Sequence, residues 1–521
     1  MRFTMLDTSA GVTLGKWKEA IGAGNVLTGT AIEPYLANCL SIERDVTAVL
    51  RPGGEEQVCE IVRIAAESKS RLYAFSTGHN WGYGTAMPVE NHCALVDLSR
   101  MNQILEFDPE LGLITVQPGV TQGQLEAFLV AGGHDFFVPT TGAGPSVSIL
   151  GNALERGFGI TPEEDHFGAV RSLRAVLADG SLYRSSLASF DLPMAESSWK
   201  WGIGPYFDGL FTQGNFGVVT SMTIALRRRP QHIEVYVFTL KDGARFAEMA
   251  ASCREMLIDL HGQAGGIKFI NFHQYQLTLD TAELGMGLSN RFEWIAFGVL
   301  HCRRSMVRPL RRDVARSLKP FASQLIFLNA GRVRKFASLA RWTPPPFRDK
   351  LIRQATQAED ILHIVRGEPR GLELRLVYKH VPIPPGGPKD PVKDGVGILW
   401  YAPIIPLKRD TIERMVSQIR GTLREFGMTE AISMTTVNER CAMGVIPILY
   451  PRPAEKDKAM ECFRALWRRG RELGCFPYRI NVAAMPDLAS QSDPVLRRFT
   501  AQLKQAVDPD HILSPGRYGA E

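Results

Sequence analysis

The first 230 residues alternate between the hydrophobic period of strands and that of helices. Residues 55–68 repeat apolar side chains at helical spacing after the turn sequence Pro52-Gly53-Gly54, which predicts a helix. A second helix is predicted over 122–130, with Thr121 as its N-cap. Strands are predicted over residues 71–75, 94–98, 113–117 and 170–177, the last of which ends at the turn Asp179-Gly180.

The pattern changes after Pro230. Long amphipathic helices are predicted over 245–261 and 409–426, and strands over 372–378 and 398–401 separate them. Residues 381–395 are rich in proline and glycine and are predicted to form an exposed loop. We therefore expect a second α+β domain to be inserted into the first.

Composition narrows the class of protein. The chain has 521 residues, 45% of them hydrophobic and 22% charged, which is typical of a folded, soluble protein. Its net charge of +6 is spread thinly, without the basic blocks of a nucleic-acid binder. The eight cysteines include no C-x-x-C pair, and no apolar run could cross a membrane, so we expect no metal site, disulfide framework or membrane contact. Without an apolar core of signal-peptide length at the N-terminus, a cytoplasmic location is expected.

Two glycine-rich segments carry the candidate chemistry. The common dinucleotide, P-loop, zinc-protease and serine-hydrolase motifs are absent from the sequence. Residues 76–84 follow a predicted strand, and their small side chains allow backbone N–H groups to converge on an anion such as pyrophosphate. Residues 138–165 are dense in glycine and serine without a clear period. One such segment is often only a turn, but two in one domain indicate a large phosphate-bearing cofactor.

Seven motifs along the chain resemble the vanillyl-alcohol oxidase / p-cresol methylhydroxylase family of FAD-dependent oxidoreductases, in the same order. They are S-T-G-H-N-W-G-Y-G (76–84), Q-P-G-V-T (117–121), G-N-A-L-E-R-G-F-G-I-T-P-E-E-D-H (151–166), V-L-A-D-G (176–180), G-I-G-P-Y-F-D-G-L-F-T-Q-G-N-F-G-V-V-T (202–220), P-Y-R (477–479) and D-P-D-H-I-L-S-P-G-R (508–517).

The resemblance implies a two-domain α+β flavoprotein. An FAD-binding domain of the p-cresol methylhydroxylase type would be formed by residues 1–230 and by the C-terminal return at 476–521. Residues 231–475 would form an inserted α+β cap domain that covers the flavin ring and shapes the substrate pocket. This division agrees with the change of pattern near Pro230.

The resemblance also implies the residues that hold FAD. The loop from residue 76 to 80 would bind the pyrophosphate, and residues 151–165 would line the cofactor. Residues 217 and 219 would lie near the far end of the flavin. The expected cofactor-binding residues are Ser76, Thr77, Gly78, His79, Asn80, Thr141, Gly144, Ser148, Gly151, Asn152, Gly157, Asp165, His166, Gly217, Val219 and Arg517.

Three residues match the phenol-binding positions of the family, namely Tyr83, Tyr478 and Arg479. Two O–H donors and a permanent cation stabilise an oxyanion, so a phenol would bind as phenolate. The side chain para to that oxygen would then lose hydride to the flavin and leave a quinone methide. Taken singly, the tyrosines could be packing residues and the arginine an ordinary ion-pair partner.

Two carboxylates complete the expected catalytic set. Asp165 matches the family's active-site carboxylate, which would be buried near the flavin and act as a base toward water. The alternative is a turn-capping role. Glu439 is a candidate acid of the cap domain that faces the substrate.

The expected linkage to the flavin departs from the family. The cap-domain histidine that binds the flavin covalently in vanillyl-alcohol oxidase is replaced by Ile398, and the tyrosine linkage has no clear match, although Tyr401 is close. His79 stands where the wider superfamily places an 8α-linked histidine. Both a covalent bond through His79 and a noncovalent phosphate contact stay open.

The substrate is the least determined feature. The leading hypothesis is an oxidase or dehydrogenase of a para-substituted phenol, with dioxygen or a redox protein as electron acceptor and a homodimer as the assembly common in the family. Trp81, Phe158 and Ile160 differ from the phenol oxidases, which leaves open an oxidase of another alcohol, hydroxy acid or amine, including one that tailors a natural product. A non-redox flavin enzyme or a flavin-binding subunit is the third hypothesis.

Overall fold

The computed structural model describes residues 3–162, 165–278, 292–345, 347–385 and 389–519. In this part of the chain the strands form three sheets of four, five and nine strands. Among the described residues, no helix combines the length and the apolar character that crossing a membrane requires.

The four-stranded sheet lies at the start of the chain. Its strands follow one another in the order Val26–Leu27, Val46–Leu50, Cys93–Asp97 and Arg71–Phe75, and the last three run parallel. Every residue of Cys93–Asp97 is buried, as expected for a parallel strand covered on both faces. Helix Glu55–Ser68 packs its apolar stripe against this sheet, and helix Phe3–Ile21 packs on that helix.

The five-stranded sheet is antiparallel. Its order is Ile104–Asp108, Leu113–Val116, Val218–Ala225, Val170–Val176 and Leu182–Arg184. Helices Gln122–Ala131 and Ile149–Leu154 cover it and share its apolar core. The first of these helices begins with a capping box, in which the Thr121 hydroxyl accepts from the Gln124 amide and the Gln124 side chain accepts from the Thr121 amide.

The nine-stranded sheet belongs to the middle of the chain, and its strand pairs are antiparallel. Its path is Gln324–Leu328, His232–Leu240, Trp294–Cys302, Lys268–Asn271, Ser433–Thr436, Cys441–Tyr450, Pro403–Pro406 and Phe476–Pro477, and Gly397–Tyr401 pairs with Cys441–Tyr450. Helices Phe246–Asp259, Val307–Leu318, Arg409–Glu425 and Lys456–Glu472 contribute to the core against this sheet. The other helices of the described chain are Glu33–Leu36, Pro193–Ser198, Phe272–Thr278, Ala330–Ala340, Phe347–Val365, Met485–Ala489 and Pro494–Val507.

The C-terminal segment returns to the four-stranded sheet. Leu513 forms a parallel bridge with Leu72, whose amide donates to the Ile512 carbonyl at 2.7 Å. Strand Phe476–Pro477 still pairs with Pro403–Pro406 of the nine-stranded sheet, so the chain leaves that sheet two residues later than the predicted boundary at 475. The limits at 230 and 475 otherwise stay predictions.

Most predicted elements are confirmed, and one is wrong. The helices predicted over 55–68, 122–130, 245–261 and 409–426 and the strand at 398–401 are present within a few residues. Residues 372–378, predicted as a strand, form a 3₁₀ helix that starts at Gly371 in the left-handed region, with φ +67. The alternation of apolar and polar residues here reflects burial of one side against Trp81 and Ile398, not a pleated strand.

The predicted proline- and glycine-rich loop follows this 3₁₀ helix. Residues 381–385 and 389–395 contain no regular strand or α-helix, but Val392 is buried. Tyr378 anchors the loop by donating to the Asp394 carboxylate at 2.6 Å. Residues 386–388 lie outside the described residues.

Candidate functional site

A continuous cavity of about 1130 Å³ joins the first part of the chain to the nine-stranded sheet. One part, which we call the groove, is lined by residues 76–80, 140–143, 147–148, 150–152, 157–160 and 217–219. Tyr83, Tyr478 and Arg479 line a second part, the inner end. A third part, the cap lobe, lies against the nine-stranded sheet and is lined by Val237, Ile270, Ile295, Phe297, Ile326 and Leu328, among others.

The loop after strand Arg71–Phe75 forms one wall of the groove. Gly78 has φ +69, a conformation that costs glycine nothing, and it lets the loop turn back over the strand. Within the described chain, the amides of Thr77, Gly78 and His79 donate to no other residue. Such converging N–H groups form a nest that binds an anion.

Glycines keep the opposite wall of the groove close to this loop. A Cβ on Gly151 would collide with the Ser76 hydroxyl, and a Cβ on Gly157 would collide with the Asn152 side chain. The absence of side chains there keeps the groove open. Thr141, Ser148, Gly217 and Val219, which are expected to bind the cofactor, also line the cavity.

The groove fits FAD. Its length runs from the anion nest to the inner end, and the Thr140 hydroxyl on its wall is buried without a hydrogen-bond partner. A buried hydroxyl normally has a partner, so Thr140 is suited to a polar group of a bound molecule. The cavity volume exceeds that of ordinary single-ligand pockets, so there is room for a cofactor and a small substrate.

The inner end gathers the three predicted phenol-binding residues. The Arg479 guanidinium lies over the Tyr83 ring, 4.4 Å from its centroid, and the Tyr478 ring packs edge-on against Phe158 at 5.4 Å. Arg479 Nε donates to Glu155 Oε2 at 3.1 Å and Nη2 donates to Asn80 Oδ1 at 2.7 Å. Its Nη1 donates to no other residue of the described chain, so these N–H groups are available to a ligand.

Glu155 organises this end and was not predicted from the sequence. Its side chain is 10% exposed and accepts from Arg479, Arg517 and Tyr518. Arg517 also donates to the Tyr73 hydroxyl at 2.8 Å. Two guanidinium groups therefore share one carboxylate, which leaves a net positive charge beside the two tyrosines.

Burial sets the protonation state of Tyr83. Desolvation raises its pKa well above the usual value, the neighbouring Tyr478 raises it further, and the Arg479 charge lowers it only in part. Tyr83 is consequently a neutral O–H donor at ordinary pH. Two phenolic O–H groups beside a guanidinium form a site for an oxyanion.

Asp165 does not lie in the cavity, which corrects the expectation of a buried active-site carboxylate. Its side chain is exposed, and Oδ1 accepts from the Gly168 amide at 2.9 Å, closing a turn. Its backbone bridges Phe158, so the residue supports the groove loop from behind. The turn-capping alternative describes its placement.

His166 and Gly144 also lie outside the cavity lining, although both support it. His166 is buried behind the loop 157–159, its Nδ1 is hydrogen bonded to the Asn152 amide, and burial lowers its pKa to about 4. Gly144, with φ +100, makes a close approach to Gly371, where a Cβ would lie 3.1 Å from the Gly371 Cα. The expectation that either contacts the cofactor directly is therefore not supported by their positions.

Glu439 lies at the tip of the hairpin between Ser433–Thr436 and Cys441–Tyr450. It pairs with Arg440 and does not line the cavity. The expectation that Glu439 is an acid facing the substrate is therefore wrong. The hairpin tip is shaped by Asn438, whose Oδ1 accepts from the Arg440 amide at 2.8 Å. The polar residues of this tip serve the turn.

The three candidate linkage positions differ in their access to the cavity. His79 and Ile398 line it, whereas Tyr401 is fully buried away from it. His79 Nδ1 lies 3.0 Å from the Ser146 carbonyl, which can only accept, so Nδ1 carries the proton. Burial lowers the pKa of His79, which favours the neutral imidazole with an unprotonated Nε2.

Comparisons with known proteins indicate a flavoprotein. Residues 46–186 match the family described as an FAD binding domain. The chain is 27% identical to the 4-cresol dehydrogenase [hydroxylating] flavoprotein subunit of Pseudomonas putida, over 98% of this chain and 97% of that protein. It is 29% identical to 1'-carboxy-chondrochloren decarboxylase of Chondromyces crocatus, over 97% of this chain and 96% of that protein.

Solved structures show the same fold. The structure of p-cresol methylhydroxylase with substrate bound has a TM-score of 0.84 at 24% identity, covering 98% of this chain and 97% of that one. The isoeugenol complex of 4-ethylphenol oxidase from Gulosibacter chungangensis has a TM-score of 0.86 at 21% identity, with the same coverage of 98% and 97%.

The fold, the groove and these similarities define an FAD-dependent oxidoreductase with a two-domain α+β architecture. Its cofactor is FAD, and it acts on small molecules. Within that class, the chain is similar over nearly its whole length to members of the vanillyl-alcohol oxidase / p-cresol methylhydroxylase family.

Proposed function

We propose that this protein oxidises the side chain of a para-substituted phenol that binds as phenolate at the inner end of the cavity. The main support is that Tyr83, Tyr478 and Arg479 lie together at the inner end, where the charged groups leave a net positive charge. Two O–H donors and a guanidinium whose Nη1 is available stabilise the phenolate oxygen and lower the pKa of the bound phenol.

Glu155 prevents the site from being over-charged. Without this carboxylate, the guanidinium groups of Arg479 and Arg517 would repel each other when no substrate is bound. With Glu155 hydrogen bonded to both guanidinium groups, one positive charge remains, which matches one phenolate. Arg479 is also fixed by Asn80, so the donors are held in place before the substrate arrives.

FAD, when bound in the groove, supplies the acceptor for a hydride. The chain's part is to hold the phenolate, whose electrons weaken the C–H bonds of the para side chain and leave a quinone methide after hydride loss. The buried side chains of Tyr83 and Ile160 and the packed ring of Phe158 exclude water from this end. The side chain of the substrate then extends toward the cap lobe.

The relatives support this substrate class. The Pseudomonas putida protein is named for 4-cresol, a para-substituted phenol. The Chondromyces crocatus protein is named as a decarboxylase of a carboxylated compound, which is compatible with a substrate that carries an acid group.

We further propose that His79 would carry a covalent bond to the 8α carbon of FAD. That bond would replace one C–H bond and the imidazole N–H bond, with loss of two protons, and the two electrons released would pass through the flavin to the electron acceptor of the enzyme. His79 lines the groove as a neutral imidazole, and its Nδ1–H is held by the Ser146 carbonyl, so Nε2 is free to react. Acid precipitation of purified protein tests this directly. Yellow colour should stay with the wild-type pellet and move to the supernatant for His79→Ala; colour in both supernatants contradicts the linkage.

The substrate class is tested by anaerobic mixing of the holoenzyme with 4-ethylphenol while the flavin absorbance is followed. Bleaching by 4-ethylphenol but not by its methyl ether, 4-ethylanisole, is the expected result, because the ether cannot form a phenolate. Subsequent exposure to air shows whether dioxygen or a redox protein takes the electrons.

Two tyrosine variants provide matched controls. Tyr478→Phe removes a hydroxyl from the inner end and should slow bleaching by about 10²-fold. Tyr401→Phe removes a buried hydroxyl that has no partner and does not line the cavity, so the rate should be unchanged. If no phenol bleaches the flavin while another alcohol, hydroxy acid or amine does, the proposal is wrong.

A further inference from the structure

A second charged cluster lines the cavity away from the inner end. It lies where the cap lobe meets the groove and is built from polar residues of three elements: strand 268–271, the 3₁₀ helix 372–378 and strand 433–436. We call it the cap cluster, and its members are Lys268, Glu373, Arg375, Ser433 and Thr435. The phenolate site at the inner end uses none of these residues.

Lys268 is unusual for its place in the fold. Its strand lies inside the nine-stranded sheet, between Trp294–Cys302 and Ser433–Thr436. Strand alternation turns Lys268 and Ile270 toward the cavity, and its neighbour Phe269 packs into the apolar core on the other face. A lysine at such a position has a desolvation cost, which its contact with Glu373 offsets: Nζ lies 2.5 Å from Oε1.

Arg375 adds a second cation without a second carboxylate. It lines the cavity, and its Nε is buried with no hydrogen-bond partner. No residue of the described chain forms an ion pair with Arg375. The cap cluster therefore holds two cations and one anion, and its excess positive charge belongs to a guanidinium whose buried Nε has no hydrogen-bond partner.

The groove fixes where this charge lies. Glu373 packs so closely on Gly142 that a Cβ there would collide with its carboxylate. Gly142 follows the groove residues Thr140 and Thr141. The Lys268–Glu373 pair consequently borders the groove, while Arg375 continues the same 3₁₀ helix along the cavity wall.

We propose that Arg375, positioned beside the Lys268–Glu373 pair, binds a carboxylate on the side chain of the substrate. This inference rests on the proposed function, since it places the phenolate at the inner end and the acid at the cap cluster of the same cavity. A guanidinium binds a carboxylate through two parallel N–H donors, and the added negative charge balances the cluster. The substrate class is thus a para-substituted phenol with an acidic side chain.

The test compares acids with their neutral amides. Holoenzyme is reduced with dithionite under nitrogen, so that no turnover accompanies binding, and titrated calorimetrically with 4-hydroxyphenylacetate and 3-(4-hydroxyphenyl)propionate and with the amide of each. At least one acid should bind about tenfold or more tightly than its amide, and Arg375→Gln should reduce that ratio to near one. Arg375→Lys should retain part of the preference for the acid, because lysine keeps the positive charge but lacks the two parallel N–H donors of the guanidinium.

Arg332→Gln is the matched control. Arg332 lines the same cavity, but it donates to the Phe327 carbonyl at 3.0 Å and lies on helix Ala330–Ala340, so the acid-to-amide ratio should persist. Equal loss of the ratio in both variants would mean that the general charge of the cavity, and not Arg375, attracts the acid, and would overturn the proposal. Flavin content is measured in each variant, and loss of FAD from Arg375→Gln would assign the residue to the cofactor instead.

The result also separates the two proposals. Equal binding of acid and amide in wild type, with flavin bleaching by neutral 4-ethylphenol, overturns the carboxylate site and leaves the phenol site standing. Arg375-dependent binding of phenylacetate, which lacks the phenol, without bleaching by any phenol supports the carboxylate site and rejects the phenol site.

Discussion

The inner end and the cap cluster both combine arginine with glutamate, yet they differ in how fully their charges are paired. At the inner end, Glu155 accepts from Arg479, Arg517 and Tyr518, and Asn80 holds Arg479 from another side. In the cap cluster, Glu373 pairs with Lys268 and leaves Arg375 without a partner.

The difference separates two ways of recognising an anion. A guanidinium fixed by neighbours is organised before the substrate arrives and can stabilise charge that develops during the reaction. A guanidinium without a partner is satisfied only when a ligand brings an anion. The first arrangement suits a catalytic site, and the second suits a site that selects among substrates.

The largest effect on the rate of flavin bleaching is expected at the inner end. Arg479→Gln removes the cation beside the phenolate, so the rate of anaerobic flavin bleaching by 4-ethylphenol should fall by about 10²- to 10³-fold. The measurement is rapid mixing at saturating phenol. A change of less than about threefold would show that Arg479 only forms hydrogen bonds with Glu155 and Asn80 and does not stabilise the phenolate.

Glu155→Gln should destabilise the protein more than it alters the chemistry. It leaves Arg479 and Arg517 buried without their shared counter-ion, which costs about 3 kcal/mol of unfolding free energy. Denaturant unfolding with flavin content as a second signal measures this loss. Glu439→Gln is the control, because its ion pair lies at an exposed hairpin tip, and it should change stability by less than about 0.5 kcal/mol.

His166 should make the groove sensitive to acid. Its pKa is about 4 in the folded protein because of burial, against 6.5 when unfolded, so the unfolded chain takes up the proton first. Stability is therefore complete above pH 6.5 and falls by up to about 3 kcal/mol as the pH drops toward 4. Melting temperatures of wild type and His166→Gln across this pH range test the prediction. Parallel curves would show that His166 does not cause the loss of stability in acid.

The smallest effect is expected at Asp165. Since its carboxylate is exposed and caps the turn to Gly168, Asp165→Asn should change the bleaching rate by less than about twofold. A loss of 10²-fold or more would place Asp165 in the catalytic site and contradict the geometry.

The sequence predicts what local patterns determine. The helix at 55–68 and the capped helix after Thr121 follow from periodicity and capping chemistry, and the groove loop at 76–80 follows from its glycines. The grouping of Tyr83 with Tyr478 and Arg479 depends on a family resemblance, because no local rule joins residues about 400 positions apart.

The features that the sequence did not reveal depend on long-range contacts. Glu155 lies in a segment without a clear hydrophobic period, and only its contacts with Arg479 and Arg517 mark it. The segment 372–378 alternates like a strand but is a 3₁₀ helix. Its sequence pattern therefore does not indicate that Arg375 lines the cavity. Asp165 has the residue type of an active-site base, and its exposure alone shows otherwise.

The phenolate site is tested most directly by the ionisation of a bound phenol. Oxidised holoenzyme is titrated with 4-hydroxybenzaldehyde across a pH series, and difference absorbance reports the fraction bound as phenolate. The account predicts a pKa for the bound phenol at least about one unit below its value in water, with the shift abolished in Arg479→Gln. Binding as the neutral phenol, or an equal shift in the variant, would contradict it.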